Sequence, residues 1–235
     1  MIKEVKKVNF SYKGNVELDY DTKTKISKYW DELKQKSDLL HENKILVVSK
    51  IEDNDGVYDI ELKDTTFSHF MYSKMLDTMD IRCMFSGTYI LTCDNYVVLV
   101  LNNMYKGYTF QMVNLVGGMS DFNDIVNGKY LSEKNLKREF KEELGLIYDD
   151  SSYSINLKYI KCPSENENPV GYAIGVIYEI KTVYSKLELE NMFNKSIHDN
   201  EIQELIFVSK ENYKSISLYE HKKEYIPELL EKIFE

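Results

Sequence analysis

The segment 132–144 stands between strand-like runs, and it limits the possible folds more than any other part of the chain. Its apolar residues recur every four positions, which is the spacing of one helix face. Ser132 is a suitable N-cap, and Gly145 stands where a glycine commonly ends a helix. We therefore predict a helix over 132–144 that buries one apolar stripe. The stripe consists of Leu136, Phe140 and Leu144.

Strand patterns precede and follow this helix, and further helical patterns lie towards both ends of the chain. Strands on both sides of a central helix, with another helix at the end, predict an α/β fold with a mixed sheet in layers. A change of pattern near residue 80 predicts a small α+β N-terminal lobe over 1–80 and a second domain over 81–235. The predicted strands are 44–51, 57–64, two runs within 87–103 around an Asp94-Asn95 turn, 110–118, 154–162, 171–182 and 202–210, and the other predicted helices are 24–40, 67–79, 185–193 and 220–234.

Charge and composition exclude several classes of protein. The formal net charge is −9 over 235 residues, and no lysine-rich stripe with interleaved aromatic residues occurs, so a nucleic-acid polymer is not expected as a partner. The three cysteines are far apart and form no CxxC pair, which argues against a disulfide framework or a zinc site. The N-terminus has no apolar signal-peptide region, and no window approaches the roughly 18 apolar residues of a membrane span. We expect a soluble protein of a reducing cytoplasm.

The predicted helix carries a cluster of charged residues, Arg138, Glu139, Glu142 and Glu143. Residues three and four positions apart share a helix face, so the three carboxylates project together and repel one another unless a cation lies among them. A solvated face balanced by neighbouring lysines is the simplest interpretation. Arginine is rare here, with 2 Arg among 30 basic residues, and an Arg fork can orient a carboxylate in a way that Lys cannot. A functional carboxylate cluster is the alternative.

The glycine pair Gly117-Gly118 together with REFKEELGL resembles the Nudix box, G-x5-E-x7-R-E-U-x-E-E-x-G-U, where U is aliphatic. The second half of the box is filled, with Phe140 as an aromatic variant at the first U. The first half departs from the pattern, because Asp124 stands at the acidic position and 13 residues separate it from Arg138 instead of 7. The matching residues are Arg138, Glu139, Phe140, Glu142, Glu143, Gly145 and Leu146.

This resemblance implies a Nudix-like α/β/α sandwich that hydrolyses a diphosphate linkage with Mg²⁺, or Mn²⁺. By the resemblance, Glu139, Glu142, Glu143 and the carbonyl of Gly118 hold the metal ions. Glu139 also acts as general base on water, and Arg138 orients the carboxylates. The spaced apolar and aromatic residues of the N-terminal lobe resemble the Nudix branch that cleaves UDP-glucose and UDP-galactose, which also has a lengthened loop in its box.

Substrate choice lies outside the box. Tyr105, Tyr108 and Phe110 are candidates for stacking on a nucleotide base, and core packing is the alternative. Glu201 and Glu204 are candidates for a further metal ligand or a catalytic base, and the alternative is a solvated position before a strand. A nucleotide sugar such as UDP-glucose is the preferred substrate, and ADP-ribose or a dinucleotide is the main competitor. A non-catalytic nucleotide sensor is the alternative outside the enzymes, and an RNA-cap hydrolase is disfavoured by the acidic charge.

Two further kinds of residue are interpreted as structural. Trp30 is expected to anchor the N-terminal helix by packing instead of serving as a ligand platform. The four histidines are scattered without metal-ligand spacing and receive no role.

Overall fold

The structure is a computed structural model that describes residues 1–36, 40–76, 81–103, 111–163, 173–199 and 201–235. The helices are α1 Tyr20–Lys34, α2 Phe67–Met75, α3 Ser132–Leu144, α4 Lys186–Lys195 and α5 Ile226–Phe234. The strands are β1 Ile2–Glu4, β2 Lys7–Asn15, β3 Lys44–Asn54, β4 Val57–Thr66, β5 Met84–Leu91, β6 Val97–Asn102, β7 Met112–Asn114, β8 Val116–Met119, β9 Ile125–Val126, β10 Lys129–Tyr130, β11 Tyr153–Lys161, β12 Ile174–Thr182 and β13 Ile202–Val208. Among the described residues, 3₁₀ turns span Phe122–Asp124 and Tyr213–Leu218.

A mixed eight-stranded sheet forms the centre of the molecule, with strand order β1-β11-β12-β5-β6-β13. Strand β7 pairs with β6 and β8 pairs with β5, beside the main path of the sheet. The β12–β5 pair is parallel, and the other pairs are antiparallel. Strand β8 therefore lies next to the middle of the sheet and leads towards α3.

Helices cover both faces of this sheet. Val98 and Val100 of β6 share a core with the apolar stripe of α3, whereas Val97 and Leu99 share a second core with α5. Successive side chains of a strand point to opposite faces, so α3 and α5 lie on opposite sides. This α/β/α layering with a mixed sheet confirms the predicted fold class. None of the helices in the described part of the chain is long and apolar enough to cross a membrane.

The N-terminal residues form a second, three-stranded sheet, β2-β4-β3, together with α1 and α2. Leu46, Ile60 and Leu62 of this small sheet belong to the same core as the α3 stripe. Strand β1, however, pairs with β11 in the large sheet. Isolated bridges also join β3 to the large-sheet side, at Ile45–Asp121 and Val47–Cys83. The division of the chain at residue 80 stays a prediction.

The structure confirms the bounds of the central helix and corrects its N-cap. The helix runs from Ser132 to Leu144, and Gly145 ends it in the left-handed conformation with φ 65°. The N-cap is Leu131, which provides no side-chain cap, and Ser132 is the first helical residue. The hydroxyl of Ser132 is buried and shares a 2.5 Å hydrogen bond with the Tyr178 hydroxyl. Because a tertiary partner occupies this hydroxyl, it does not cap the helix.

Three other predicted bounds were wrong in detail. The first helix spans 20–34 instead of 24–40, with Asp19 as an N-cap that accepts a hydrogen bond from Thr22. The last helix begins at Ile226, not at Glu220, with Pro227 in its first turn, where the missing N–H costs nothing. The run predicted as one strand over 110–118 is divided into β7 and β8, which pair with different strands.

The buried Gly175 of β12 permits a close packing contact that any other residue would block. A Cβ there would lie 2.0 Å from the ring of Phe85, which stacks against Tyr225 with centroids 6.2 Å apart. The ring lies between Gly175 and Tyr225, so Gly175→Ala is expected to lower the free energy of unfolding by about 1–3 kcal/mol through overpacking. Urea denaturation measures this loss. In the Phe85→Leu background the same substitution should cost less, and an equal cost in both backgrounds would contradict the contact.

Candidate active site

Glu139, Glu142 and Glu143 of α3 differ in their exposure to solvent. Glu143 is 4% exposed, the side chain of Glu139 is 13% exposed, and that of Glu142 is 49% exposed. The apolar stripe of α3 fixes the rotation of the helix, and this rotation turns Glu139 and Glu143 towards strand β8. We call Glu139 and Glu143 the carboxylate pair.

The glycines of β8 seat the carboxylate pair. Gly117 donates its backbone N–H to Glu143 Oε2 at 2.8 Å. Its φ is +139°, and a Cβ there would lie 2.2 Å from the Ser86 carbonyl oxygen, so only glycine fits. At Gly118 a Cβ would lie 2.5 Å from Glu139 Cδ. The glycine pair therefore makes room for two carboxylates against a strand.

Arg138 holds two carboxylates in place with its guanidinium fork. One nitrogen, Nη2, lies 2.8 Å from Glu139 Oε1, and the other, Nη1, donates to Glu142 Oε2 at 2.9 Å. Nη2 also lies 3.7 Å from Asp124 Oδ2. A planar fork with two separate nitrogens can orient two acceptors at once, which a lysine ammonium does less well. Arg138 thus pairs with Glu139 and Glu142 at once, and its role in catalysis stays a prediction.

Asp124 is buried behind this arginine, at 1% exposure. Its Oδ2 accepts hydrogen bonds from the Asp121 backbone N–H and from Asn135 Nδ2, both at 3.0 Å. Asp124 thus ties the turn after Gly118 to α3 and to Arg138. The six extra residues of the loop lie between Asp124 and the helix, so they leave this anchor intact. The sequence missed Asn135 and Asp121, although the Asp-x-x-Asp spacing is a recognisable capping pattern.

Burial raises the pKa of both members of the carboxylate pair, because the nearby positive charge does not offset the loss of solvent. Burial raises the pKa of Glu139 to about 7, although Arg138 lowers it and Glu142 adds a further rise. Burial and the charge of Glu139 raise the pKa of Glu143 well above its usual value, against the lowering effect of the Gly117 N–H. Ionising both carboxylates is therefore unfavourable unless a further cation besides Arg138 lies beside them.

This burial predicts a pH-dependent stability of the metal-free protein. A carboxyl whose pKa is 4.5 when unfolded and about 7 when folded binds more protons in the folded state between those pH values. Stability must then fall as pH rises through that window, by up to about 3 kcal/mol for Glu139. Urea denaturation in a chelator at pH 5 and pH 8 measures the loss. Glu139→Gln should remove much of it, and an equal pH dependence in wild type and variant would contradict the shift.

The oxygen donors suit a hard divalent cation, which prefers carboxylate and carbonyl ligands. Within the described ranges, no group of three or more His, Cys, Asp or Glu side chains already converges as a metal cage. Glu142 is turned to Arg138 and Glu143 to Gly117. Mg²⁺ keeps several waters and needs only a few protein ligands, so the carboxylate pair with one carbonyl is a sufficient donor set.

The loop before β13 brings further acidic residues to this site. Asp199 donates its backbone N–H to the Glu142 carbonyl oxygen at 3.1 Å, and the charge of Glu201 raises the pKa of both members of the carboxylate pair. Glu201 is half-buried, whereas Glu204 is exposed. Of the two late glutamates only Glu201 is shown to be coupled to the site. The other sequence candidates, Tyr105, Tyr108 and Phe110, lie outside the described residues.

Comparison with known proteins gives a fold match and no sequence match. No protein-family model matches the chain, and no curated protein matches it. Among solved structures, Tm1382, named as a Nudix hydrolase, has a TM-score of 0.51 and 13% identity, over 82% of this chain and 100% of Tm1382. DR0079 from Deinococcus radiodurans has a TM-score of 0.46 and 17% identity, over 66% of this chain and 84% of its own. A NUDIX-family hydrolase from Clostridium perfringens has a TM-score of 0.38 and 19% identity, over 65% and 96%.

At 13% identity, the likeness to Tm1382 shows a shared fold. That fold is the Nudix fold, as the box residues had predicted. The resemblance of the N-terminal lobe to the UDP-sugar branch stays a prediction.

Proposed function

We propose that this protein is a divalent-metal-dependent hydrolase that cleaves the diphosphate linkage of a nucleoside diphosphate-linked compound. One observation carries the proposal: the buried carboxylate of Glu143 and the partly buried one of Glu139 are seated against Gly117 and Gly118, with an arginine fork beside them. A solvated helix face needs neither burial nor two glycines. The Nudix fold of the chain is consistent with this activity.

Glu139, Glu142, Glu143 and the Gly118 carbonyl would hold the metal, Mg²⁺ or Mn²⁺. A bound divalent cation neutralises charge on the diphosphate oxygens and activates water. Burial has the further effect of excluding bulk water, which strengthens each electrostatic contact that the carboxylates make.

The chain's own residues divide the remaining work. Glu139 would accept the proton from the attacking water, which is the role that the box resemblance gives it. The water oxygen forms a bond to one phosphorus as the bridging P–O bond breaks, and the leaving phosphate takes the bridging oxygen. Arg138 acts as a positioning residue for Glu139, and Asp124 positions Arg138.

The preferred substrate is a nucleotide sugar such as UDP-glucose, which would give UMP and glucose 1-phosphate. The support is the resemblance of the N-terminal lobe to that branch and the lengthened box loop. ADP-ribose or a dinucleotide is the competing substrate. Small nucleotides are the proposed partners and the cytoplasm the proposed location, in keeping with the acidic net charge of −9.

A nucleotide-sensing role without catalysis is the second candidate. Its support is that Arg138 donates to Glu142 and the Gly117 N–H donates to Glu143, so the carboxylates of Glu142 and Glu143 already have protein partners. A sensor would bind nucleotides without turning them over.

A hydrolysis screen with Mg²⁺ over UDP-sugars, ADP-ribose, dinucleotides and nucleoside triphosphates tests the proposal. Identified products should include a nucleoside monophosphate, and Glu143→Gln should abolish their release, since the variant removes one metal-holding carboxylate. UMP release from UDP-sugars alone would support the preferred substrate. Tight nucleotide binding without any product would show the sensor, and the hydrolase proposal would be withdrawn.

A further inference from the structure

The N-terminal lobe contains a cavity of about 650 Å³ between α1 and the ends of two parallel strands. Strands β2 and β4 run parallel, and the cavity lies at their carboxyl ends, next to the start of α2. Its volume lies within the range of small-molecule sites, and the carboxyl ends of parallel strands are a common place for ligands. None of the box residues on α3 lines it. The cavity is therefore separate from the candidate active site.

Trp30, the single tryptophan of the chain, lines this cavity. It is 5% exposed and packs edge-on against Phe67, which confirms its predicted anchoring role. Among the described residues, however, its indole N–H has no hydrogen-bond acceptor. The Nε1 atom also has an accessible area below 1 Å², so a ligand in the cavity would meet other atoms of the Trp30 side chain and not this N–H.

The charged groups of the lining balance one another. Lys44 lies 3.2 Å from Asp64, whose carboxylate is 4% exposed and also accepts a hydrogen bond from the Tyr12 hydroxyl. Glu42 accepts from the backbone N–H of Ser68 at 3.0 Å and offsets the second lysine of the lining, Lys23. Two lysines and two carboxylates leave no net charge. The cavity is thus unsuited to a strongly anionic ligand such as free phosphate.

The same lining contains both hydrogen-bond donors and acceptors beside apolar surface. The lysines donate, the carboxylates accept, and Val16, Ile26 and Trp30 add apolar contact. A hydroxyl group both donates and accepts, and a sugar ring combines many hydroxyls with apolar C–H faces. A sugar matches this combination, whereas a phosphate oxygen can only accept.

Two side chains of the cavity lining contact the turn that ends at Asp124. The rings of Tyr12 and Phe122 meet edge-on with centroids 6.0 Å apart, and Lys44 Nζ lies 4.8 Å from the centre of the Phe122 ring. Tyr12 and Lys44 both line the cavity. Phe122 begins the 3₁₀ turn that ends at Asp124, the residue behind Arg138.

We propose that this cavity binds an uncharged polyhydroxy compound of the sugar class and that its occupancy changes the environment of the Phe122–Asp124 turn. Tyr12 and Lys44 touch both the ligand space and the Phe122 ring, so a ligand that displaces either side chain acts on the turn directly. The inference does not depend on the hydrolase activity, because binding alone is measured.

Nuclear magnetic resonance tests the site without ambiguity, since a single tryptophan gives a single indole N–H signal. The ¹⁵N-labelled full chain is titrated with glucose, galactose, ribose, uridine and inorganic phosphate. We expect a saturable shift of the indole signal with at least one of the three sugars. The absence of a saturable shift with every sugar overturns the proposal, as does a shift with only uridine or phosphate.

A matched pair of variants on α1 locates the binding. Ser27 is exposed and lines the cavity, whereas its neighbour Lys28 is exposed and does not. Ser27→Phe should fill the entrance and weaken sugar binding at least about tenfold, which is ~1.4 kcal/mol, while Lys28→Phe should bind as wild type does. Equal affinities of the two variants would place the sugar elsewhere and overturn the site.

The effect on the turn has its own readout. The backbone N–H of Asn123 donates to Asp121 Oδ1 at 2.7 Å and reports on the geometry of the turn. Its signal should shift with the same sugar saturation as the indole signal, and Phe122→Ala should remove that shift while the indole shift remains. An Asn123 signal that stays constant in the wild type, or responds equally in Phe122→Ala, overturns the coupling.

Discussion

Glu139→Gln is expected to lower kcat/KM for diphosphate hydrolysis by about 10²–10⁴-fold, the range of a lost general base. Glutamine keeps the shape of the side chain and its contact with Arg138, but it cannot accept the proton from water and is a poorer metal ligand. The side chain of Glu139 is 13% exposed, so little bulk water is present to take over its role. Steady-state kinetics on whichever substrate the screen identifies, at pH 8 in Mg²⁺, measures the effect.

The control for this substitution lies on the same helix. Glu133 is exposed in the first turn of α3, so Glu133→Gln changes the charge of α3 equally without touching the carboxylate pair. Its kcat/KM should stay near that of the wild type. In a chelator, Glu139→Gln should be at least as stable as wild type at pH 8, because it removes a buried charge. Comparable activity of the two variants would show that Glu139 is no part of the catalytic machinery.

Gly118→Ala is expected to lower kcat/KM by about 10²-fold with little loss of stability. An added methyl group would lie 2.5 Å from both Cδ and Oε1 of Glu139, so this carboxylate must move. The carboxylate is the end of a flexible side chain, and its displacement costs little folding energy. A displacement of about 1 Å in a catalytic group can nevertheless cost about a hundredfold in rate. Kinetics and urea denaturation on one preparation separate the two effects.

Gly87 provides the control for this glycine. Gly87 lies on β5 opposite Gly117, and a Cβ there would meet Leu115 Cδ1 at 3.0 Å instead of a carboxylate. Gly87→Ala should therefore lower stability more than activity, the reverse of Gly118→Ala. If Gly118→Ala keeps full activity, then the position of Glu139 does not matter for the reaction. A large loss of stability in Gly118→Ala would instead contradict the freedom of the Glu139 side chain to move.

Local patterns were sufficient for the helix that bears the site. The four-residue spacing of Leu136, Phe140 and Leu144 and the glycine at 145 predicted the helix and its C-terminal end, because periodicity and helix termination act within a few turns of chain. The same spacing placed the three glutamates on one face. Pattern also predicted strands over 44–51 and 57–64, and the structure pairs them as the antiparallel β3 and β4.

Contacts between distant residues decided the rest. Ser132 looked like a cap, but a tyrosine 46 residues away takes its hydroxyl. The sequence left Asp124 in doubt because the loop after it is too long, whereas folding brings it against Arg138 and Asn135 regardless of loop length. The sequence placed Glu142 and Glu143 on one helix face without distinguishing them. In the structure Glu143 is buried and Glu142 is exposed.

The sequence alone therefore determined which residue types share the helix face and the glycine strand, since these follow from spacing. It could not determine depth, pKa or the cavity beside Trp30, which depend on what other elements lie above each side chain. The sequence also did not predict that β7 and β8 pair with different strands, because strand pairing depends on packing across the whole sheet. Desolvation and packing are properties of the assembled layers, and only the tertiary structure contains them.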